Sequence, residues 1–245
     1  MTRESHRNSR RSRPVVLVMI VGLACVAAIA LALRRPGTTP PSPTRAPIVA
    51  PVAASAPPVG EHAPIAGDFT VGGPSKVVGG VPMGYAHSAA GAEAGAVQFL
   101  LFSQALVGMT DGAAADAQRV MSSTSATDRL VEDLLQKLAA LRGGFPGGRV
   151  GYRIGPVASR VSLTGPDRAT AEIWYVSVVS PPKLPPYEEW RTVRYDLVWE
   201  QADWRIEAET SVAGPRPVTL PGARPSGPGQ MEAALMGFGP IGAAQ

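Results

Sequence analysis

The chain has 245 residues, 23 of them basic and 19 acidic, with a net charge of +4 and a pI near 9.6. That balance invites a nucleic-acid partner until it is divided along the chain. Residues 1–35 hold seven Arg and one Glu, whereas the remainder holds 16 basic against 18 acidic residues, so the body carries no basic footprint for nucleic acid.

Val15 to Leu33 is a run of nineteen uncharged, almost wholly apolar residues. At a helical rise of about 1.5 Å per residue it covers about 28 Å, close to the roughly 30 Å hydrocarbon core of a bilayer. Arg3, Arg7, Arg10, Arg11 and Arg13 precede it, and Arg34 and Arg35 follow at once. This excess puts residues 1–14 in the cytoplasm, where the arginines meet anionic lipid headgroups, and everything after the span outside. Two other readings stay open at this point: a cleaved signal peptide ending at Ala28-Ile29-Ala30 or Ala30-Leu31-Ala32, and a lipoprotein cysteine at Cys25. The run is longer than a signal h-region of about 7 to 15 residues, which favours a retained anchor. Cys25 is the only cysteine and lies within the span, so the outer part is expected to hold no disulfide and no thiolate metal site. Gly22, Ala24, Ala28 and Ala32 give the span small-x-x-x-small spacing, which admits a homo-oligomer through close helix approach.

Residues 34–64 are rich in Pro, Ala, Thr and Ser, and read as an extended, disordered spacer that cannot bury a core. From 65 to 87 glycines continue, but Phe69, Val71, Val77, Val78, Val81 and Tyr85 appear between them, so this stretch should order by packing on a domain edge. The outer domain is therefore placed at 65–213, with its core at 85–212.

Three helices are predicted within it. Ser88 caps the first, which includes Ala92, Ala96, Val97, Leu100, Leu101 and Leu106 and reads as buried nearly all round. A short second helix spans Asp111 to Met121. The third begins near Ser125 or Thr127 and ends at Gly143-Gly144-Phe145-Pro146. In it Leu130, Val131, Leu134, Leu135, Leu138 and Leu141 form the apolar stripe, opposite Glu132, Asp133, Gln136 and Lys137.

After this the period drops to two. Val157, Ser159, Val161 and Leu163 alternate, Gly165-Pro166-Asp167 reads as a turn, and Ala169 to Val179 is a β-branched and aromatic run. Thr192–Glu200 and Asp203–Glu209 form the clearest hairpin. With Gln201-Ala202 as its two-residue turn, Trp199 lies opposite Trp204, Leu197 opposite Ile206 and Tyr195 opposite Ala208. A three-residue loop including Asp203 is the open alternative. From 214 to 245 Pro and Gly return, and the segment reads as a disordered tail in which Met231, Leu235 and Phe238 offer one apolar stripe.

Three helices followed by an antiparallel meander define an α+β domain whose helices cover one face of a curved sheet. With the hairpin Leu197-Val198-Trp199-Glu200-Gln201-Ala202-Asp203-Trp204-Arg205-Ile206, the chain resembles the nuclear transport factor 2-like cone fold over about residues 85–212. The segment Gly80-Val81-Pro82-Met83-Gly84-Tyr85-Ala86-His87-Ser88, with Gly91-Ala92, is similar to one in membrane-anchored proteins of actinobacterial conjugative elements. Arg-rich tail, single span, Pro-rich stalk and cone domain resemble the layout of TcpC-like inner-membrane assembly factors of type IV secretion. Those carry two tandem cone domains, where this chain has length for one. The resemblance implies a binding or assembly role and supplies no catalytic residue.

Cone-fold enzymes place an Asp or His deep in an apolar pocket. Here His6 falls in the cytoplasmic tail, His62 in the stalk, and His87 just before the first helix, where it suits packing or capping. Asp196 and Glu172 sit in strands, with Asp196 turned from the apolar face, while Glu188 and Glu189 follow the Pro-rich turn 181–186 as a solvated loop pair. The glycine pairs at 72–73 and 79–80 lack the Lys and Ser/Thr of a phosphate loop. The expectation is therefore a non-enzymatic chain with no catalytic, cofactor-binding or metal-ligating residue. The alternative is a small-hydrophobic-ligand binder or enzyme of the same fold, such as a Mce-associated lipid-uptake accessory protein.

Overall fold

The computed structural model describes residues 71–146, 148–217 and 225–242, all within the compact unit Ala63–Gln245. The Arg-rich foot, the expected span at 15–33, Cys25 and the spacer lie outside the described residues. Among the described residues no helix is long and apolar enough to cross a membrane.

The fold is α+β, with four helices and a five-stranded antiparallel sheet among the described residues. It opens with a small hairpin, β1 (Lys76–Val78) and β2 (Val81–Met83), turned at Gly79-Gly80 where both φ angles are positive. This segment does more than order at an edge. Val81 and Met83 are fully buried and Tyr85 is nearly so.

α1 (Ala89–Leu106) starts at Ser88, whose hydroxyl accepts the Gly91 N–H at 3.1 Å. Its Ala- and Gly-rich first half is buried on every side, from Ala90 through Val97, because small side chains let both the sheet and the incoming chain approach closely. At Gly91 the approach is closest, and any Cβ there would collide with the Ala86 carbonyl. α2 (Asp111–Met121) is capped by Thr110 and buries Ala114, Ala117 and Met121. α3 (Thr127–Gly144) departs from expectation. Of its six large apolar residues only Leu130 and Leu138 are buried; Leu134 packs partly on the core, and Val131 and Leu135 stay half-exposed.

The sheet consists of β3 (Gly151–Gly165), β4 (Arg168–Ser180), β5 (Tyr187–Glu200), β6 (Asp203–Ala213) and the two-residue β7 (Gly239–Pro240), in the order β6-β5-β4-β3-β7. β3 begins earlier than its alternation suggested. Val157 is an extra residue at a bulge between Pro156 and Ala158, which interrupts the period of two and leaves that valine exposed.

β5 and β6 form the expected hairpin. Trp199 pairs with Trp204, Leu197 with Ile206, and Gln201-Ala202 is a two-residue turn with φ of 53° and 56°. One pair differs: Tyr195 faces Glu209 and not Ala208, because Glu207 bulges out between Ile206 and Ala208. β5 also starts five residues earlier than expected, so Glu188 and Glu189 are half-buried strand residues and not a loop pair.

The described part of the C-terminal segment is ordered as well. α4 (Pro228–Ala234) and β7 follow a bridge in which Ser226 N–H donates to the Arg216 carbonyl and Arg216 N–H to the Ser226 hydroxyl. β7 then pairs with Ala158 and Ser159 of β3. A Pro- and Gly-rich composition reports weak local propensity, and here tertiary pairing supplies what propensity lacks.

Candidate interaction surface

The inner face of the sheet is where a cone-fold pocket would lie. Val193, Ile173, Ala171, Leu197 and Ile206 line it, against Phe99, Leu100 and Met121 from the helices, all at most 3% exposed. Towards the β4–β5 turn this face becomes phenolic. Burial pushes the Tyr152, Tyr175 and Tyr195 phenols up, and their mutual proximity adds to the rise for Tyr152 and Tyr195. Lys137 of α3 closes this end with Glu209 of β6 at 3.2 Å, and that carboxylate holds the ammonium above its ordinary value. Such a pairing ties helix to sheet, and nothing in it positions a nucleophile.

The other acid and imidazole candidates are held in structural contacts. The His87 ring stacks on Trp199 at 4.2 Å and 8°, with Trp204 edge-on at 5.5 Å, and its Nε2 lies 2.9 Å from the Pro166 carbonyl. Glu172 pairs with Arg160 at 2.5 Å, and Asp196 with Arg194 at 3.0 Å, both on the outer face. Glu188 accepts the Trp190 indole N–H at 3.2 Å. Glu189 lies 4.0 Å from Arg191. His6 and His62 lie outside the described residues, as do Arg3, Arg7, Arg10, Arg11 and Arg13. Among the described residues no three His, Cys, Asp or Glu side chains cluster as a metal site would require.

Two acids that pattern reading passed over prove central. Asp203 is fully buried and accepts the N–H groups of Gly84, Tyr85 and Trp204. Glu93, on the buried face of α1, accepts the Ser159 hydroxyl and the Gly242 N–H. Glu93 thus links the central helix, β3 and the C-terminal segment. Sequence offered a signal for each: an acid directly after a tight turn, and a lone Glu in an Ala-rich run.

Open hollows lie on the surface of the described residues, two of which bear on binding. One, of about 470 Å³, lies between α4 and the outer face of the sheet, with Arg160, Glu172, Thr192, Ser226 and Phe238 on its walls. The other, of about 540 Å³, is a groove along α3. Val131, Leu135 and Ala139 line it together with Gln136 and the acids Asp111, Asp128 and Glu132. Asp111 is tied to Arg142 at 2.5 Å, and Arg142 also donates to the Met109 carbonyl at 2.8 Å. This groove is the apolar width of α3 that the other described residues leave uncovered.

No curated protein matches the sequence. Among solved structures, the crystal structure of the intermembrane space region of chloroplast protein ARC6 is similar over 52% of this chain and 98% of that one, at 14% identity and a TM-score of 0.37. The profile of a family described as Domain of unknown function (DUF8175) matches residues 28–225, well over half of the sequence. The chain belongs to the DUF8175 family.

Proposed function

We propose that the chain is a membrane-anchored, extracytoplasmic, non-enzymatic assembly component of a cell-envelope complex of the conjugative or type IV-like secretion kind. In this reading residues 15–33 anchor it, the N-terminus is cytoplasmic, and the Pro-rich spacer lifts a nuclear transport factor 2-like domain away from the bilayer. The observation that carries it is the filled interior. Side chains occupy the space between helices and sheet where an enzyme or ligand binder of this fold keeps its pocket, and Phe99, Ile173, Leu197 and Trp204 there are at most 2% exposed. The exposed features are surfaces suited to protein contact: a grooved helix and the sheet edge formed by β6.

The test is genetic and direct. Deleting the chain from a donor cell that carries a conjugative element should abolish transfer, and the complete chain supplied in trans should restore it. Transfer that proceeds normally without it overturns the proposal. Saturable one-site uptake of a hydrophobic probe by the purified protein would instead favour the ligand-binding alternative.

A further inference from the structure

From Pro225 to Gly242 the chain is ordered, yet not one of its residues is buried, whereas each of α1–α3 and β3–β6 buries at least two. The segment is fastened at its two ends. At one, Ser226 and Arg216 exchange hydrogen bonds of 2.8 and 3.0 Å. At the other, Arg160 donates to the Met236 carbonyl at 2.7 Å and lies 4.9 Å over the Phe238 ring. β7 then pairs with Ala158 and Ser159, and the Gly242 N–H donates to the buried Glu93 at 3.0 Å. Between the two fastenings α4 spans the hollow of about 470 Å³ above the outer face of the sheet. A segment with so few buried contacts opens at a free energy well below that of global unfolding.

We infer that residues 225–242 form a detachable strap round the β3 edge, and that the seat it vacates receives an extended segment of a partner protein. This rests on the tethered-assembly reading and makes its contact a gated one. Closed, the strap blunts the sheet: Pro240 has no N–H, so no further strand can pair normally on β7. Opening strands neither of the groups that hold it, because Arg160 keeps Glu172 and Glu93 keeps the Ser159 hydroxyl. Gly237, Gly239 and Gly242 also regain the large conformational freedom that docking costs them. The chemistry of the seat is read from its present occupant. Glu93 takes a backbone N–H, Arg160 takes a carbonyl and an aromatic ring, and the core takes an aliphatic side chain where Ile241 packs. A partner segment of aromatic, glycine and aliphatic residues meets the same demands by adding as a strand. β7 pairs with two of the fifteen residues of β3, which has no other strand on that side among the described residues. A longer segment therefore gains ladder pairs that the strap does not make, and displaces it.

The test uses the full chain in its membrane. Amide hydrogen exchange at residues 227–242 should run about tenfold or more faster than in β4 and β5. The binding probe is a fluorescent peptide copying residues 234–242. A loosened strap carries Phe238→Ala and Gly242→Pro, the latter removing the N–H that Glu93 accepts at a φ of 87° that proline cannot adopt. The peptide should bind this variant about tenfold or more tightly than the wild type, and adding Arg160→Ala should weaken that binding severalfold. In a Cys25→Ser background, Ala158→Cys with Pro240→Cys joins directly paired residues, so oxidation locks the strap and should abolish binding. Exchange at 227–242 as slow as in β4 and β5, or a peptide that ignores the loosened variant or binds all forms equally, overturns the strap. Conjugative transfer in the same cells separates the two readings. A locked chain that transfers as well as one with Ala158→Cys alone overturns the gate and leaves the assembly role standing. A chain that takes up the peptide as expected yet is dispensable for transfer overturns the assembly role alone.

Discussion

The Asp203 carboxylate accepts the backbone N–H of Gly84 at 2.7 Å, joining positions 119 residues apart. Its other oxygen takes the N–H groups of Tyr85 and Trp204, each at 3.1 Å, and Lys76 Nζ lies 3.6 Å away. Trp204 returns the contact, its indole N–H donating to the Ala86 carbonyl at 2.9 Å. One buried acid thus pins the entering chain, with Val81, Met83 and Tyr85 in the core, to the last hairpin of the sheet.

Replacing that acid should therefore be costly. Asp203→Ala strands three N–H groups, and an unmade buried hydrogen bond costs about 1–3 kcal/mol, so a loss of about 3–5 kcal/mol is expected in urea unfolding. Asp203→Asn keeps one acceptor oxygen and should lose about 1–2 kcal/mol. A wild-type midpoint for the alanine variant would show that the staple contributes nothing.

The β5–β6 turn offers a gain in place of a loss. Gln201 and Ala202 both have positive φ, the geometry of a type I′ turn, in which side chains with a Cβ are disfavoured by about 1 kcal/mol or more. The double substitution Gln201→Asn and Ala202→Gly should stabilise the domain by about 1 kcal/mol, read as a melting temperature higher by about 2–4 °C. An unchanged or lower melting temperature would mean that the present turn is unstrained.

How far the sequence foretold this domain depends on what kind of information each element uses. The hairpin was legible because Trp199, Leu197, Trp204 and Ile206 permit one register, and register is set by which side chains must be buried. Tyr195 paired one residue further along because Glu207 bulges to reach Ser123 and Ser125, a loop contact 82 to 84 positions away that no local pattern contains. The ordered C-terminal segment was hidden for the same reason. β7 exists because β3 offers an edge and Glu93 an acceptor, and neither is encoded in the Gly- and Pro-rich residues that use them. The candidate surface was half legible: periodicity located the apolar residues of α3, but not which of them a neighbouring element would leave uncovered.

That division of α3 is measurable. Leu138 is 4% exposed, so Leu138→Ala should cost about 2–4 kcal/mol through the cavity it leaves. Leu135 is half-exposed and lines the groove, and Leu135→Ala should cost less than about 1 kcal/mol. Paired urea titrations at low protein concentration decide it. Equal losses would place Leu135 in the core.

The tyrosines predict an alkaline signature. All five are shifted upward: burial raises Tyr85, Tyr152, Tyr175 and Tyr195, and burial with help from Glu189 leaves Tyr187 pushed up to about 12. A phenol whose folded value exceeds its unfolded one, about 10, contributes its full stability below that pH and loses it as the pH climbs towards the folded value. Tyrosinate absorbance at 295 nm should therefore stay flat through about pH 10 and rise together with loss of the circular dichroism signal. A step near pH 10 in the folded chain would reveal an exposed tyrosine.

Glu207 gives the opposite limb. Its carboxylate accepts the Ser123 hydroxyl at 2.5 Å and the Ser125 hydroxyl at 2.9 Å, anchoring the α2–α3 loop to the bulge in β6. The Ser123 hydrogen bond is the main reason that its pKa lies below the ordinary carboxylate value, with slight burial opposing and Ser125, Arg168 and Arg129 assisting. Because the folded value is the lower one, this group stabilises the domain above about pH 4.3 and ceases to do so as the pH falls through its folded pKa. Ser123→Ala should move the Glu207 titration, followed by carboxyl ¹³C NMR, back towards the ordinary range. The same variant should make the acid-side fall in urea midpoint between pH 7 and about pH 3 shallower, since the largest cause of the Glu207 linkage has been removed. A Glu207 titration unmoved by Ser123→Ala would assign the depression to Ser125 and the arginines.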